Sequence, residues 1–316
     1  MGLPLDEEFA AASAPFLQAI TNVPKPATHD VEARRQLLAS FATGSAPEIP
    51  PEIEHEILSV VAADGYKIPV WRFKKKTAST NPGPAVLHIH GGGFISLSPA
   101  MNVPQLCHAT VETGVQIFSV DYRLAPEHPY PTPLEDCWDI LKWITANDEQ
   151  LGVDVHRIGI MGESAGGGLA AGVTLLARDR GLSPPLARQI LGYPMLDDRT
   201  RADSDMPAVT LWSESDNVTG WTAYLGDRMG GDGVPPYAAP GRATDFSGLP
   251  PLYMDVGQLD MFVREDIDYM RRAVQAGIEV EFHLYSGLPH GFDGIAPEHS
   301  MTKAFYSNRI KQLRIL

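Results

Sequence analysis

Residues 157–168 read Arg-Ile-Gly-Ile-Met-Gly-Glu-Ser-Ala-Gly-Gly-Gly, a short apolar run that ends in a serine surrounded by small residues. The pattern predicts a strand, a tight turn at Ser164 and a helix over about residues 165–178. Gly162 and Gly166 stand two residues before and two after the serine, where side chains would collide with neighbouring backbone. A serine at the tip of such a turn lies near the free amides of the helix start, which suit a developing negative charge. The stretch therefore predicts a nucleophile, and a glycine-rich turn that binds phosphate or only packs closely is the alternative.

Length, charge and cysteine content limit the classes of protein. The 316 residues contain no linker or block of charge that would divide them, which favours one large α/β domain with a small cap. A net charge of −14 would repel nucleic acid and anionic membrane surfaces, so neither is an expected partner. No apolar run is long enough to span a bilayer, and acidic residues stand where a signal peptide would be basic. The two cysteines form no disulfide framework. We expect a cytoplasmic protein.

Short apolar strands alternate with longer amphipathic helices along most of the chain. Alternation on both sides of Asp64-Gly65 predicts an antiparallel hairpin of residues 53–61 and 66–74. Further strands are predicted at 85–89, 115–120, 157–163, 189–192, 252–256 and 279–285, and helices at 103–112, 133–146, 165–178, 263–276 and 299–313. This alternation predicts a mostly parallel sheet with helices on both faces.

Two segments depart from the alternation. Residues 1–45 predict two amphipathic helices separated by Pro24 and Pro26, and we interpret them as part of a cap. Residues 197–247 are rich in Asp, Gly and Pro with scattered aromatic residues, which suggests a lid over the site, with inert aromatic packing as the alternative. The expected division is cap helices at 1–45, core at 46–196, a cap insertion at 197–247 and core at 248–316.

A serine nucleophile needs a histidine to accept its proton and an acid to fix the tautomer of that histidine. His290 is the predicted base, because it follows the strand 279–285 in a turn formed with leucine, proline and glycine. His283 lies inside the same strand, and we interpret it as a packed residue.

The acid has several candidates. Asp260 is preferred because it lies just beyond the carboxyl end of the strand 252–256, where ligand-facing groups collect in open α/β sheets. Asp266, on the following helix, is the reserve. The remaining acidic residues fit the role less well. Asp255 lies inside the strand, and Asp293 is too close to His290 in sequence. Glu265 and Asp268 lie on the following helix, where acidic residues near the N-terminus usually stabilise the helix dipole.

An oxyanion hole needs backbone amides aimed at one point. Ala165, the residue after the nucleophile, supplies one of them, and the run Gly91-Gly92-Gly93 can supply others because its backbone is free to approach the substrate. We interpret His90 as an anchor of this loop rather than a second base. His88 and His90 have the i, i+2 spacing of a metal pair, but no cysteine or further histidine cluster supports a metal, and none is expected.

Four motifs occur together in the order of a known family: His90-Gly91-Gly92-Gly93, Asp121-Tyr122-Arg123-Leu124-Ala125-Pro126-Glu127, Gly162-Glu163-Ser164-Ala165-Gly166-Gly167 and His290-Gly291-Phe292. Over residues 80–295 the chain resembles the bacterial hormone-sensitive-lipase family of α/β-hydrolase esterases. The resemblance implies the α/β-hydrolase fold with a helical cap and hydrolysis of carboxylic esters with short to medium acyl chains, without a cofactor. It also implies a triad and three oxyanion amides, namely Ser164, Asp260 and His290 with Gly92, Gly93 and Ala165.

Other functions use the same scaffold. An amidase or peptidase could carry the same triad, and a ligand-binding receptor would be expected to lack one of its members, whereas all three are present. An interfacial lipase is disfavoured because residues 197–247 are polar. The small-molecule ester hydrolase remains the main prediction, with a homodimer through the edge strand 279–285 as a hypothesis.

Overall fold

The computed structural model describes residues 3–21, 23–41, 48–77, 82–202 and 212–316. Across these residues runs an eight-stranded sheet in the order β1-β2-β4-β3-β5-β6-β7-β8. Its strands are β1 (Ile53–Val61), β2 (Lys67–Lys75), β3 (Gly83–Ile89), β4 (Gln116–Val120), β5 (Val153–Glu163), β6 (Arg188–Gly192), β7 (Leu252–Gly257) and β8 (Val280–Tyr285). The first two strands are antiparallel to their neighbours, whereas strands β3 to β8 are parallel to one another. The predicted hairpin and the predicted mostly parallel sheet are both confirmed.

Helices cover both faces of the sheet. They are α1 (Glu7–Thr21), α2 (Val31–Phe41), α3 (Val103–Thr113), α4 (Thr132–Ala146), α5 (Asp148–Leu151), α6 (Ala165–Asp179), α7 (Glu214–Leu225), α8 (Val263–Gln275), α9 (Phe292–Ile295) and α10 (Ser300–Arg314). Leu87 and Ile89 of β3 pack into the same buried cluster as residues of α4, α6 and α8, whereas Val86 packs with α3 in a second cluster. Because successive side chains of a strand point to opposite faces, the two clusters are the two sides of the sheet.

The parallel strands bring their carboxyl ends to one edge, where ligand sites form in sheets of this type. Three glycines and the histidine before them follow β3, and Ser164 follows β5 directly. Asp260 follows β7, and His290 follows β8. Four separate parts of the chain thus converge on one region.

The N-terminal helices pack against the rest of the fold at two places. Phe9 of α1 is fully buried in a cluster with Phe292 and Phe305. Helix α2 contacts α7, where Arg34 Nε donates to Asp216 Oδ1 at 2.8 Å. Parts of the two predicted cap segments, residues 42–45 and 203–211, lie outside the described residues.

The fold differs from the sequence analysis in the short helices α5 and α9, which were not predicted, and in two larger features. Helix α7 lies in the 197–247 insertion, where no helix was assigned, and it begins with a capping box in which Ser213 N donates to Asp216 Oδ2 at 2.8 Å. Strand β5 begins at Val153, earlier than the predicted start at residue 157, because Val153 already pairs with Gly83 of β3. Among the described residues, no helix has the length and apolar character needed to cross a membrane.

Candidate active site

The turn between β5 and α6 holds Ser164 in a strained conformation. Its φ of +55° and ψ of −122° are unusual for a residue with a side chain, and such strain concentrates at functional sites. A Cβ atom at Gly162 would collide with the carbonyl oxygen of Gly166, and one at Gly166 would collide with that of Ile89. The prediction that both positions require glycine is confirmed.

A continuous chain of hydrogen bonds joins the serine to a histidine and an aspartate. Ser164 Oγ lies 3.0 Å from His290 Nε2, and His290 Nδ1 lies 2.6 Å from Asp260 Oδ2. Because a carboxylate only accepts, Nδ1 carries the proton, so Nε2 accepts from the serine hydroxyl. Asp260 is 2% exposed, and its other oxygen accepts from Phe262 N at 2.9 Å. The structure therefore brings together the three residues that the sequence analysis selected, in an arrangement that can move a proton from serine to imidazole.

Aromatic rings fix the plane of the imidazole. The rings of Tyr193 and Phe262 meet the His290 ring edge to face, with centroid separations of 4.9 and 5.0 Å. Side chains packed from two directions restrict rotation of the imidazole, so that its hydrogen bonds keep their geometry.

The other acidic candidates have different partners. Asp255 pairs with Arg309, Glu265 accepts from Leu196 N and Thr200 Oγ1, and Asp293 accepts from two tyrosine hydroxyls. Asp268 pairs with arginines of its own helix. Asp266 is fully buried, and within the described part of the chain its carboxyl has no hydrogen-bond partner; burial and nearby carboxylates raise its pKa. None of the five reaches the imidazole of His290 through a described hydrogen bond.

The glycine loop after β3 passes beside the serine. A Cβ at Gly91 would lie 3.4 Å from that of Ser164, and Gly92 and Gly93 have φ values of +111° and +62° that favour glycine. Ala165 is the first residue of α6, so its amide is one of those without a partner inside the helix. The glycine loop named by the resemblance thus passes beside Ser164 at Gly91, and Ala165 follows the serine directly.

His90 anchors this loop, as predicted. Its Nδ1 donates to Gly91 O at 2.7 Å, and its ring stacks on Tyr122 at 4.3 Å. Burial lowers the pKa of His90 to about 4, so the imidazole is neutral at physiological pH.

Trp212 closes one side of the glycine loop. A Cβ at Gly93 would overlap the indole ring, and one at Gly220 of α7 would lie 3.3 Å from the same ring and 2.7 Å from Gly93 O. The 197–247 insertion therefore contacts the loop next to the serine through an indole edge and a glycine, which limits the space there.

This geometry can be compared with known proteins. A family model described as an alpha/beta hydrolase fold matches residues 86–294. The chain belongs to the α/β-hydrolase family.

Similar members of the family are esterases. Carboxylesterase NlhH of Mycobacterium tuberculosis (strain ATCC 25618 / H37Rv) is 34% identical over 278 residues, which cover 85% of this chain and 84% of that protein. The ethyl acetate hydrolase of Pseudomonas putida is 28% identical over 272 residues, 85% of each chain. The solved structure of a bacterial heroin esterase is 34% identical, with a TM-score of 0.87 over 98% of this chain and 97% of that chain. This α/β-hydrolase is therefore a serine hydrolase of the carboxylesterase class.

An ion network behind the nucleophile of this α/β-hydrolase was missed in the sequence analysis. Arg309 of α10 pairs with Glu163, at 2.9 Å, and with Asp255, at 3.0 Å. Glu163 also bonds His88 at 2.9 Å, and His88 in turn bonds Ser119 at 2.7 Å. A single arginine on a helix is usually exposed to solvent, so the sequence gives no sign of this network. The fold reveals it, because α10 places Arg309 against Glu163 of β5 and Asp255 of β7.

Two groups of side chains contain histidines that could ligate a metal: the pair considered from the sequence, His88 and His90, and a cluster that only the structure brings together. His88 and His90 have separate partners, so they do not form a pair aimed at one ion. Asp6, Glu8 and His299 offer ligand atoms within 4.8 Å of one another. However, His299 Nδ1 accepts from Met301 N at 3.1 Å, so Nε2 carries the proton and donates to Asp6 at 2.8 Å. This cluster connects the N-terminal segment to α10, and its imidazole has no free lone pair for a cation.

Proposed function

We propose that the protein hydrolyses small carboxylic esters with Ser164 as nucleophile, His290 as base and Asp260 as the orienting acid. The continuous hydrogen-bond chain through these three residues is the observation that carries the proposal. The esterase activities named for similar members of the family support the same reaction.

The proposed reaction is acyl transfer in two steps. His290 takes the proton of Ser164 as the serine oxygen attacks the ester carbonyl, and the same imidazole then protonates the departing alcohol. Water then attacks the acyl carbonyl and gives a proton to His290, which passes it to Ser164 Oγ as the acyl–oxygen bond breaks and the acid leaves. The negative oxygen of each tetrahedral intermediate is bound by the amides of Gly92, Gly93 and Ala165.

The proposed acyl preference is short to medium. Trp212 supports it, because this buried indole lies against Gly93, in the glycine loop that passes beside the serine, where it would compete with a long acyl chain for space. The two N-terminal helices and the 197–247 insertion are proposed to form the cap over Ser164.

Removing the indole is expected to lengthen the preferred acyl chain. In Trp212→Ala, kcat/KM for p-nitrophenyl octanoate should rise about tenfold relative to that for the acetate, because a few methylene groups gain a place to pack. Trp212→Phe keeps a ring at this position and serves as the control. An unchanged octanoate-to-acetate ratio in Trp212→Ala would show that the indole does not limit chain length.

The test of the reaction class compares esters, amides and a covalent probe. The wild type should hydrolyse p-nitrophenyl acetate and butyrate faster than the palmitate, and it should hydrolyse the matching p-nitroanilides much more slowly. Diethyl p-nitrophenyl phosphate should abolish this activity and add one diethylphosphoryl group to the peptide that contains Ser164. Faster cleavage of the anilides would favour the amidase alternative, and a failure to react with either substrate or probe would favour a receptor.

The edge strand β8 supports a proposed homodimer. Leu284 of this strand is 43% exposed, and Ile267 and Val274 of the neighbouring α8 are also exposed, so an apolar surface borders an open sheet edge. Sedimentation equilibrium is expected to give a dimer for the wild type and a monomer for Leu284→Asp, because a charge at the centre of the interface would be desolvated. A wild-type monomer at the assay concentration would exclude the dimer.

We also propose a cytoplasmic location and a small-molecule rather than a nucleic-acid partner. The free, buried thiols of Cys107 and Cys137 are compatible with a reducing compartment, and the charge of −14 repels polyanions.

A further inference from the structure

Arg35 of α2 reaches from the N-terminal helices to the glycine loop beside Ser164. Its Nε donates to the carbonyl oxygen of Ile95 at 2.7 Å, two residues beyond Gly93. Its Nη2 donates to Ala125 O at 3.0 Å. Ala125 N in turn donates to Phe94 O at 2.9 Å. The guanidinium of Arg35 therefore bonds both the segment of Ile95 and the segment of Ala125, and a backbone hydrogen bond joins these two segments next to the glycine loop.

Glu127 fixes the orientation of this guanidinium. Its two oxygens accept from Nη1 and Nη2 of Arg35, both at 2.7 Å, in the planar two-bond arrangement that an arginine forms with a carboxylate. The hydrogen bonds from Arg35 lower the pKa of Glu127 to about 2, so the pair stays charged throughout the pH range of an assay. Because Glu127 is 54% exposed, the pair contributes little to stability, and its geometric effect is the more important one.

The loop that Arg35 contacts needs external support. Gly92, Gly93 and Phe94 have positive φ values in succession, and glycine loses more conformational freedom on ordering than any other residue. Within the loop, Ile95 N and Ser96 N both donate to Gly92 O at 3.1 Å. Arg35 adds a hydrogen bond from outside the loop, to the carbonyl oxygen of Ile95.

We propose that Arg35 is a positioning residue that holds the glycine loop in the conformation that binds the oxyanion. The inference rests on the proposed function, because it assumes that the amides of Gly92 and Gly93 stabilise the tetrahedral intermediate. Transition-state stabilisation then depends on the docking of α2, since a displacement of the amides by a fraction of an ångström weakens their bonds to the oxyanion.

Arg35→Gln tests this inference. For p-nitrophenyl acetate, kcat should fall about tenfold while KM changes less than about twofold, because the amides bind the tetrahedral state more strongly than the ester. The inhibition constant of a trifluoromethyl ketone, which adds to the serine and forms an oxyanion, should rise by about the same factor as kcat/KM falls. Arg35→Lys, which keeps the charge and one donor, should recover part of kcat.

Hydrogen exchange gives a readout that does not require activity. In Arg35→Gln, the amides of Ile95 and Ser96 should exchange about tenfold faster than in the wild type, because their bonds to Gly92 O open more often.

Two arginine variants serve as controls. Arg180 forms a similar pair with Glu135, at 2.8 and 2.6 Å, and it follows the C-terminal end of α6, whereas the serine precedes the N-terminal end, so Arg180→Gln should leave kcat unchanged. Arg34, the neighbour of Arg35 on α2, instead bonds Asp216 of α7, so Arg34→Gln weakens the packing of α2 without removing a bond to the glycine loop.

The inference is overturned if Arg35→Gln keeps both the wild-type kcat and the wild-type exchange rates. A loss of kcat in Arg34→Gln as large as that in Arg35→Gln would overturn it as well, because general loosening of α2 would then explain both. If the wild type hydrolyses no ester, the proposed function fails instead, and the exchange rates still decide whether Arg35 supports the loop.

Discussion

Ser164→Ala is expected to lower kcat/KM for p-nitrophenyl acetate by at least about 10⁴-fold. The methyl group cannot attack the carbonyl, and only the oxyanion amides and substrate binding would remain to accelerate attack by water. Initial rates of freshly purified wild type and variant, measured with the same ester, give the ratio directly. A variant that keeps more than about 1% of the wild-type rate would show that another group attacks the ester.

Variants of the other two residues test whether the three act as a unit. His290→Ala should be nearly as inactive as Ser164→Ala, and the double variant should be no less active than either, because each change alone disables the same step. Asp260→Asn should also lose several orders of magnitude, because its amide favours the wrong tautomer of His290.

Asp266→Asn is the matched control for the acid. Asp266 is buried in the first turn of α8, and burial together with the neighbouring carboxylates raises its pKa, which favours the uncharged carboxyl that an amide resembles in shape. Its kcat should stay within about twofold of wild type. A loss equal to that of Asp260→Asn would make Asp266, the reserve candidate of the sequence analysis, part of the site.

The residues that carry the proposed chemistry could be predicted because the sequence next to each of them determines the turn or loop in which it lies. Gly162 and Gly166 mark Ser164 as a tight turn between a strand and a helix, because a side chain at either glycine would collide with neighbouring backbone. The position of Asp260 follows from the rule that loops at the carboxyl ends of parallel strands meet at one edge, which needs only the order of the elements.

The supporting residues could not be predicted, because their partners are distant in sequence. Arg309 meets Glu163 and Asp255 at separations of 146 and 54 residues, and Arg35 meets Ile95 at a separation of 60. Nothing in the sequence around either arginine distinguishes it from one exposed to solvent. Helix α7, in contrast, carried a readable signal in the capping box of Ser213 and Asp216.

The second large effect concerns Arg309, which is buried against two carboxylates in the core. It donates to Glu163 and to both oxygens of Asp255, and it is 6% exposed. Burial raises the pKa of Asp255 despite the opposing charge of Arg309. Burial also acts to raise the pKa of Glu163, but His88 and Arg309 outweigh it and lower that pKa. The positive guanidinium of Arg309 thus offsets the free-energy cost of burying the charged forms of Glu163 and Asp255.

Arg309→Met is expected to lower the free energy of unfolding by about 3 to 5 kcal/mol near pH 7.5, because it leaves buried carboxylates without their cation. Urea denaturation at a fixed protein concentration measures the loss. Arg314→Met, on the same helix, removes an exposed pair with Glu112 and should cost less than about 1 kcal/mol.

The pH dependence separates lost charge compensation from lost packing. Without Arg309, the folded-state pKa values of Glu163 and Asp255 rise above their unfolded values, so the folded variant holds protons that the unfolded chain releases. Its stability should therefore fall as pH rises, and the difference from wild type should narrow between about pH 8 and pH 5.5. A triple variant that adds Glu163→Gln and Asp255→Asn should recover most of the stability and lose this dependence, because neither remaining side chain is charged. The alternative cause is packing, because the guanidinium of Arg309 lies 3.8 Å from the centre of the Phe305 ring. An equal loss of unfolding free energy at about pH 8 and pH 5.5, with no recovery in the triple variant, would assign the effect to this contact.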